Sequence, residues 1–261
     1  MSSFTHPMAR YLRPGHEVTT ACPGCGDGMI AHSILRAIDE LGLDMDGFVF
    51  VSGIGCAGWI PSPYFAADTL HTTHGRPLAF ATGVKLAAPD RRVFVVSGDG
   101  DMAAIGGNHL IHAARRNLTM TALCVNNRIY GMTGGQVAPT TPPGIRTTTT
   151  PLGNTERAFD LCRLVEAAGA TYVARWTTAH PRQLSRAIVR ALQHPGFAFI
   201  EVMSQCPVHY GKMSREGKAV QTLELFRTQS VTRQQATRLS ADELAGRWVV
   251  GELTGAAEQG G

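Results

Sequence analysis

Between Arg92 and Thr133 the chain reads RVFVVSGDGDMAAIGGNHLIHAARRNLTMTALCVNNRIYGMT, and few folds accept that order of residues. Val93 to Val96 is a short apolar run, which predicts a strand buried on both faces. A glycine-rich turn, an amphipathic helix and a second apolar run (Thr121 to Val125) follow. That run ends in the polar turn Asn126-Asn127-Arg128-Ile129-Tyr130-Gly131. Two buried strands flanking a helix predict parallel pairing in a βαβ unit. Both polar turns then fall at carboxyl ends of neighbouring strands, where open α/β sheets place their ligands.

The rest of the chain extends the pattern. Cys22-Pro-Gly-Cys25-Gly is a tight turn before a helix from about Gly28 to Leu41, whose Ile30, Ile34, Ile38 and Leu41 share a face. Gly42 ends it, and Phe48 to Ser52 is a short strand followed by the glycine-rich turn Gly53-Ile54-Gly55-Cys56-Ala57-Gly58. A Pro-containing loop to His71 and the turn His71-Thr72-Thr73-His74-Gly75-Arg76 precede a helix from about Pro77 to Ala87. Gly134 to Asn154 is a long loop rich in Pro, Thr and Gly, a type that usually serves a site or an interface. A helix carrying Ala158, Leu161, Cys162, Val165 and Ala168 on one face follows, then a strand from Thr171 to Ala174. A helix starting at His180-Pro181 and a last buried strand, Phe197 to Met203, complete the series, which ends at Cys206-Pro207. The expected fold class is α/β, a mostly parallel sheet with helices on both faces. From about Lys212 the chain turns polar and charged, with one weakly amphipathic helix.

At 261 residues, with 44% hydrophobic and 17% charged residues, the composition is that of a soluble globular protein. Net charge is +4, without a Lys/Arg-rich nucleic-acid patch. No apolar run reaches the roughly 18 residues of a membrane span, and MSSFTHPMARYLRPGHE lacks the apolar core of a signal peptide. A cytoplasmic protein is expected, with its six cysteines serving as metal ligands or core residues rather than disulfides.

Gly98-Asp99-Gly100 and Asn127 suit a divalent cation and a diphosphate. Magnesium prefers six oxygens in octahedral array, a few from protein and the rest from phosphate and water. Asp99 can give a carboxylate oxygen, Asn127 its amide oxygen and Ile129 its backbone carbonyl. Gly98 and Gly100 let the backbone approach the diphosphate at the amino end of the following helix. The plain alternative is a strand–turn–helix with Asp as a cap. Among the cysteines, Cys124 in an apolar strand and Cys162 on an apolar helix face read as small core residues. Cys22, Cys25, Cys56 and Cys206 all fall in loops, and four thiolates suit zinc or a [4Fe–4S] cluster, with spacing choosing neither.

GDG, residues 101–125 and then Asn126-Asn127, with strand, helix and strand between, resembles the diphosphate-binding motif of thiamine diphosphate enzymes. CPGCGDG, SGIGCAG, HTTHGRPLAFATGVKLA, GDGDMAAIGGNHLIHAARRN, NNRIYGMTGGQ and Cys206-Pro occur in that order. Together they resemble the β subunit of the 2-oxoacid:ferredoxin oxidoreductases, most like the 2-oxoglutarate type, over roughly residues 20–210. The resemblance implies thiamine diphosphate, with magnesium on Asp99, Asn127 and the Ile129 carbonyl, and a [4Fe–4S] cluster on Cys22, Cys25, Cys56 and Cys206. It implies that Ile54, Gly55, Cys56, Ala57, Thr73, His74, Gly75, Gly98, Gly100, Asp101, Gly131 and Met132 line the cofactor. The role of His74 stays unassigned.

The implied domains are an arm (1–20), a thiamine diphosphate and iron–sulfur domain (21–210) and a C-terminal tail at an interface (211–261). The implied reaction converts a 2-oxoacid, CoA and two oxidised ferredoxins into acyl-CoA, CO2 and two reduced ferredoxins, in either direction. The family draws the carboxylate that activates the cofactor from another subunit, and no candidate besides Asp99 stands out here. An obligate complex with an α (or fused γα) subunit, as (αβ)2, is therefore expected, with ferredoxin as redox partner. Trp59 and Gly134 depart from residues common in relatives, which leaves 2-oxoglutarate, pyruvate and branched-chain 2-oxoacids open. A non-redox thiamine decarboxylase subunit would leave the four cysteines without a role, and a zinc-stapled binding module would leave the GDG…NN pair without one.

Overall fold

The computed structural model of this chain describes residues 6–16, 19–214 and 216–254. Helix α1 (Asp27–Glu40) buries Ile30, Ile34 and Ile38 completely, each burial contributing roughly 1.5–3 kcal/mol. It stops where the sequence reading placed its end. Gly42 adopts φ +60°, Leu43 N–H bonds to Ile38 O at 3.1 Å and Gly42 N–H to Asp39 O at 3.0 Å, a Schellman cap.

The core strands are β1 (Phe48–Ser52), β2 (Asp68–His71), β3 (Arg92–Gly98), β4 (Met120–Asn126), β5 (Tyr172–Thr177) and β6 (Phe197–Met203). Helices α2 (Pro77–Ala87), α3 (Gly107–Arg116), α4 (Leu161–Ala167) and α5 (Pro181–Gln193) connect them. Two further helices, α6 (Tyr210–Met213) and α7 (Ala219–Gln229), precede β7 (Ser230–Thr232), and two four-residue helices, Arg233–Ala236 and Ala241–Leu244, lie between β7 and β8 (Trp248–Glu252). The eight-stranded sheet runs β2-β1-β3-β4-β6-β5-β8-β7, parallel at every pairing except β5 with β8.

Strand periodicity divides the core into two layers. Phe48, Phe50, Phe94, Val96, Leu123, Val125, Ile200 and Val202 pack beneath α1 and α5. Val51, Val93, Val95, Ala122, Cys124, Phe197 and Phe199 pack on the other side, with α2, α3 and α4. Alternate side chains thus point to opposite faces, and helices cover both, as expected for parallel strands. Phe50, fully buried and stacked on Phe48 with ring centroids 5.3 Å apart, is central to the first layer. Phe50→Ala would cost about 3–5 kcal/mol.

The structure departs from the sequence reading in five places. The loop before His71 contains β2, four residues whose side chains are exposed or only partly buried, so hydrophobic alternation does not reveal it. The turn after β3 enters a π-helical segment, Asp101–Ile105, before α3 begins. Helix α4 starts at Leu161 because the Asp160 side chain caps it by accepting from Arg163 N, which leaves Ala158 outside the helix and exposed. Strand β5 runs on to Thr177. The segment after residue 210 returns to the sheet, pairing β8 with β5 and β7 with β8. Among the described residues no helix is long and apolar enough to cross a membrane.

The chain leaves β1 toward the edge strand β2 and returns on the other side as β3. This reversal opens a crevice between the carboxyl ends of β1 and β3, the position at which such sheets bind ligands.

Candidate active site

Three loops meet at that crevice: residues 53–58 after β1, 98–100 after β3 and 127–133 after β4. They enclose a cavity of about 100 Å³ whose lining includes Ile54, His74, Asp99, Asp101, Asn127 and Met132. Of the residues implied for the cofactor, all but Thr73 and Gly75 line it. Thr73 is exposed on the rim, and Gly75 contributes through its backbone.

Asp99 is 2% exposed. One of its oxygens, Oδ2, accepts a short hydrogen bond from Thr140 Oγ1, a residue of the long Pro/Thr-rich loop. Burial pushes the carboxyl up to about 7, against the hydroxyl and backbone donors around it, and Glu201 adds to the rise. A buried carboxylate without a cation beside it behaves this way, and a divalent ion would reverse the shift. In the facing turn, Asn127 Oδ1 accepts from Ile129 N at 3.1 Å and Asn126 Oδ1 from Arg128 N at 3.1 Å. Between them Arg128 takes a left-handed conformation, φ +63°, at a cost of roughly 1–2 kcal/mol for a side-chain-bearing residue. Asp99, Asn127 and the Ile129 carbonyl are the oxygen donors of this crevice that could hold a magnesium ion, so the donor set fits the group.

Asp101 is a second carboxylate at the cavity, one that the sequence reading credited only with cofactor contact. It accepts from Gly75 N at 2.6 Å and Ile54 N at 3.3 Å, and makes short hydrogen bonds with Ser97 Oγ and His74 Nδ1. It thus ties together the loops after β1, β2 and β3. A Cβ at Gly53 would lie 1.7 Å from Asp101 Oδ2, so only glycine fits there. With both oxygens engaged, Asp101 is a poor candidate for a free base. His74 is left with its Nε2 side for the cavity and its ring edge-on to Tyr130, centroids 5.9 Å apart. Tyr130, which the sequence reading passed over, donates to Gly100 O at 2.9 Å and joins the two ligand turns. A Cβ at Gly100 would meet its ring at 2.5 Å.

Cys22 and Cys25, with Cys56 and Cys206 from distant parts of the sequence, line one larger cavity of about 1020 Å³. Burial first, then Asp27, Cys206 and Cys22, pushes the Cys56 thiol up to about 11, and burial and Asp27 raise Cys25 further. Such thiols ionise only against a bound cation. Cys124 and Cys162 are buried in the core, as expected. Among the described residues, the one grouping of three donors within 4.8 Å of one another is Asp160, Cys162 and Glu201. It is already neutralised: Arg175 Nε lies 2.6 Å from Glu201 Oε2, and Arg175 also pairs with Asp160.

The two cavities share a wall made of Cys56, Asn127, Gly131 and Met132. A Cβ on Gly131 would stand 3.5 Å from Cys206 Sγ, 3.7 Å from Asn127 Nδ2 and 3.8 Å from Cys56 Sγ, so a glycine keeps the partition thin. Trp59 lines the cysteine cavity rather than the crevice, and Gly134 lines neither.

Residues 53–202 match the family described as thiamine pyrophosphate enzyme, C-terminal TPP binding domain. The crevice is therefore that of a thiamine pyrophosphate-binding protein. The chain is 52% identical over 248 residues to the 2-oxoglutarate synthase subunit KorB of Methanocaldococcus jannaschii, covering 95% of this chain and 92% of that one. It is 46% identical over 187 residues to the 2-oxoglutarate oxidoreductase subunit KorB of Mycobacterium tuberculosis, covering 72% of this chain and 50% of that one. Among solved structures, it superposes with a TM-score of 0.84 and 35% identity on a chain of the 2-oxoglutarate:ferredoxin oxidoreductase from Magnetococcus marinus with 2-oxoglutarate, coenzyme A and succinyl-CoA bound. That match covers 97% of this chain and 86% of the other. The chain belongs to the β subunits of the 2-oxoacid:ferredoxin oxidoreductases.

Proposed function

We propose that this chain is the subunit of a 2-oxoglutarate:ferredoxin oxidoreductase that carries thiamine diphosphate with magnesium in the crevice and a [4Fe–4S] cluster in the cysteine cavity. The shared wall carries this reading. The crevice and the cysteine cavity are separated by little more than the backbone at Gly131 and the side chains of Cys56, Asn127 and Met132.

When bound, thiamine diphosphate supplies a thiazolium that adds to the keto carbon and accepts the electron pair left by CO2, and the cluster supplies a one-electron acceptor beside it. The protein groups then have separate tasks. Asp99, Asn127 and the Ile129 carbonyl hold the magnesium, while Gly98 and Gly100 admit the diphosphate to the backbone. Asp101 fixes the Nδ1 side of His74, which leaves Nε2 unengaged by that contact in a residue lining the crevice. Cys22, Cys25, Cys56 and Cys206 hold the cluster. The overall stoichiometry is 2-oxoglutarate, CoA and two oxidised ferredoxins to succinyl-CoA, CO2 and two reduced ferredoxins.

Membership of the family implies that the carboxylate that activates the cofactor comes from the partner α (or γα) subunit, in an (αβ)2 assembly, and the engagement of Asp101 by Gly75 N, Ser97 and His74 is consistent with that. Residues 21–210 carry both cofactors, and the described residues after 210 contribute to a subunit interface.

Anaerobic purification with the partner subunit tests the reading. Brown colour, about four irons per chain and turnover of 2-oxoglutarate in preference to pyruvate and branched-chain 2-oxoacids are expected. A colourless protein carrying zinc would overturn it.

A further inference from the structure

Arg128 lies between Asn127 and Ile129, the two residues proposed to hold magnesium from the β4 side. Its backbone is left-handed, φ +63°. Its N–H bonds to Asn126 Oδ1 at 3.1 Å, and its carbonyl accepts from Thr141 Oγ1 at 2.7 Å. Its side chain points away from the crevice and is 5% exposed. There the guanidinium forms a two-pronged ion pair with Glu216, 2.8 Å to Oε1 and 2.9 Å to Oε2. It lies 3.9 Å from the Tyr210 ring centroid, 5.6 Å from Trp248 and 5.8 Å from Phe226. Tyr210 belongs to α6, Phe226 to α7 and Trp248 to β8, and Glu216 precedes α7. Every one of these contacts comes from the segment after β6.

We propose that this C-terminal segment is a clamp that sets the magnesium-binding turn, with Arg128 and Glu216 as its positioning residues. The proposal rests on the reading that Asn127 and the Ile129 carbonyl hold the ion. In a left-handed residue the preceding and following peptide planes face directions that an extended or right-handed residue cannot give. Holding Arg128 there fixes the Asn127–Arg128 and Arg128–Ile129 peptide planes and keeps the Ile129 N–H on Asn127 Oδ1 at 3.1 Å, so the turn that carries both proposed ligands keeps one shape. The planar guanidinium suits the clamp because it pairs with a carboxylate through two bonds while stacking on an aromatic face. Glu216 also cancels a buried positive charge next to a cation site, which would otherwise repel the ion.

The test measures magnesium-dependent thiamine diphosphate binding by circular dichroism, on the anaerobic complex with its partner subunit. Glu216→Gln and Arg128→Lys should each raise the magnesium concentration at half-saturation about tenfold, and the double variant should be no worse than Arg128→Lys alone. Iron content should stay at the wild-type value, and the loss of magnesium affinity should exceed what the fall in cofactor-free melting temperature, expected when a buried ion pair is broken, would produce. Phe226→Leu, which removes only a distant wall of the cage, supplies a milder reading, about threefold, should Glu216→Gln not accumulate. Half-saturation within twofold of wild type in Arg128→Lys or Glu216→Gln overturns the proposal. So does a shift matched by equal loss of iron and of cofactor-free stability, which would make the segment a general staple. Asp99→Ala separates this from failure of the underlying reading: if it too binds normally, the magnesium assignment is wrong, whereas if only it loses binding, the clamp alone is wrong.

Discussion

Replacing Asp99 with Asn should stabilise the metal-free protein while abolishing its magnesium site. The carboxyl is buried and raised from 3.8 to about 7, a shift worth about 4 kcal/mol at 1.4 kcal/mol per unit. The sign follows from proton binding. Between the unfolded value and the folded value the native state holds a proton that the unfolded chain has released, so stability falls as pH rises through that window. Above pH 7 the whole burden is present. Asn carries no charge and escapes it, but leaves an N–H2 with a partner missing, costing roughly 1–3 kcal/mol. The net gain at pH 7.5 is about 2 kcal/mol, or roughly 4–8 °C for a domain of this size. Between pH 7.5 and 5.5 the wild type recovers about 2 kcal/mol, so the advantage should vanish across that interval. Calorimetry of the complex in EDTA at both pH values measures this. Added magnesium and thiamine diphosphate should then raise the wild-type melting temperature and leave the variant unmoved. A variant no more stable than wild type at pH 7.5, or a gain independent of pH, would refute the argument.

Magnesium must displace the Asp99 proton, so its apparent affinity should be flat above about pH 7 and fall about tenfold per unit below it, as isothermal titration at several pH values would report. Gly53→Ala would drive a Cβ into the Asp101 carboxylate and break the link among three loops. A loss of about 3 kcal/mol or more in denaturant unfolding is expected, with cofactor binding lost first. Ser at Cys22, Cys25, Cys56 or Cys206 should each cost the protein its iron and visible absorption, while Ala at Cys124 or Cys162, both in the core, should leave iron content at the wild-type value.

Elements with strong periodicity were legible from sequence: α1, β1, α2 and β6 fall within a residue of where the apolar pattern puts them. The same holds for the crevice, because βαβ topology fixes which end of each strand its glycine turn occupies. What escaped detection lacked a local signal. Strand β2 has no buried face, and β7 and β8 are short strands in a polar segment whose pairing is decided by distant neighbours. Thr140 stood in a loop flagged for its length, but nothing in the chain says which of its threonines reaches Asp99. Arg128 was visible only as the third residue of a motif. Its partners lie far downstream, in a stretch that composition marks merely as polar.

That distance matters for biosynthesis. The turn at residues 126–129 leaves the ribosome long before Glu216, 88 residues later, and Trp248 later still. The parallel core needs β6, which ends at Met203; at roughly 5–20 residues per second, Glu216 follows it by about 1–3 seconds and Trp248 by about 2–9 seconds. A nascent or prematurely ended chain could thus fold its sheet and collect its cysteines yet hold magnesium and thiamine diphosphate poorly. Cofactor loading would then report that translation had run past Trp248, and incomplete subunits would reach the partner unloaded.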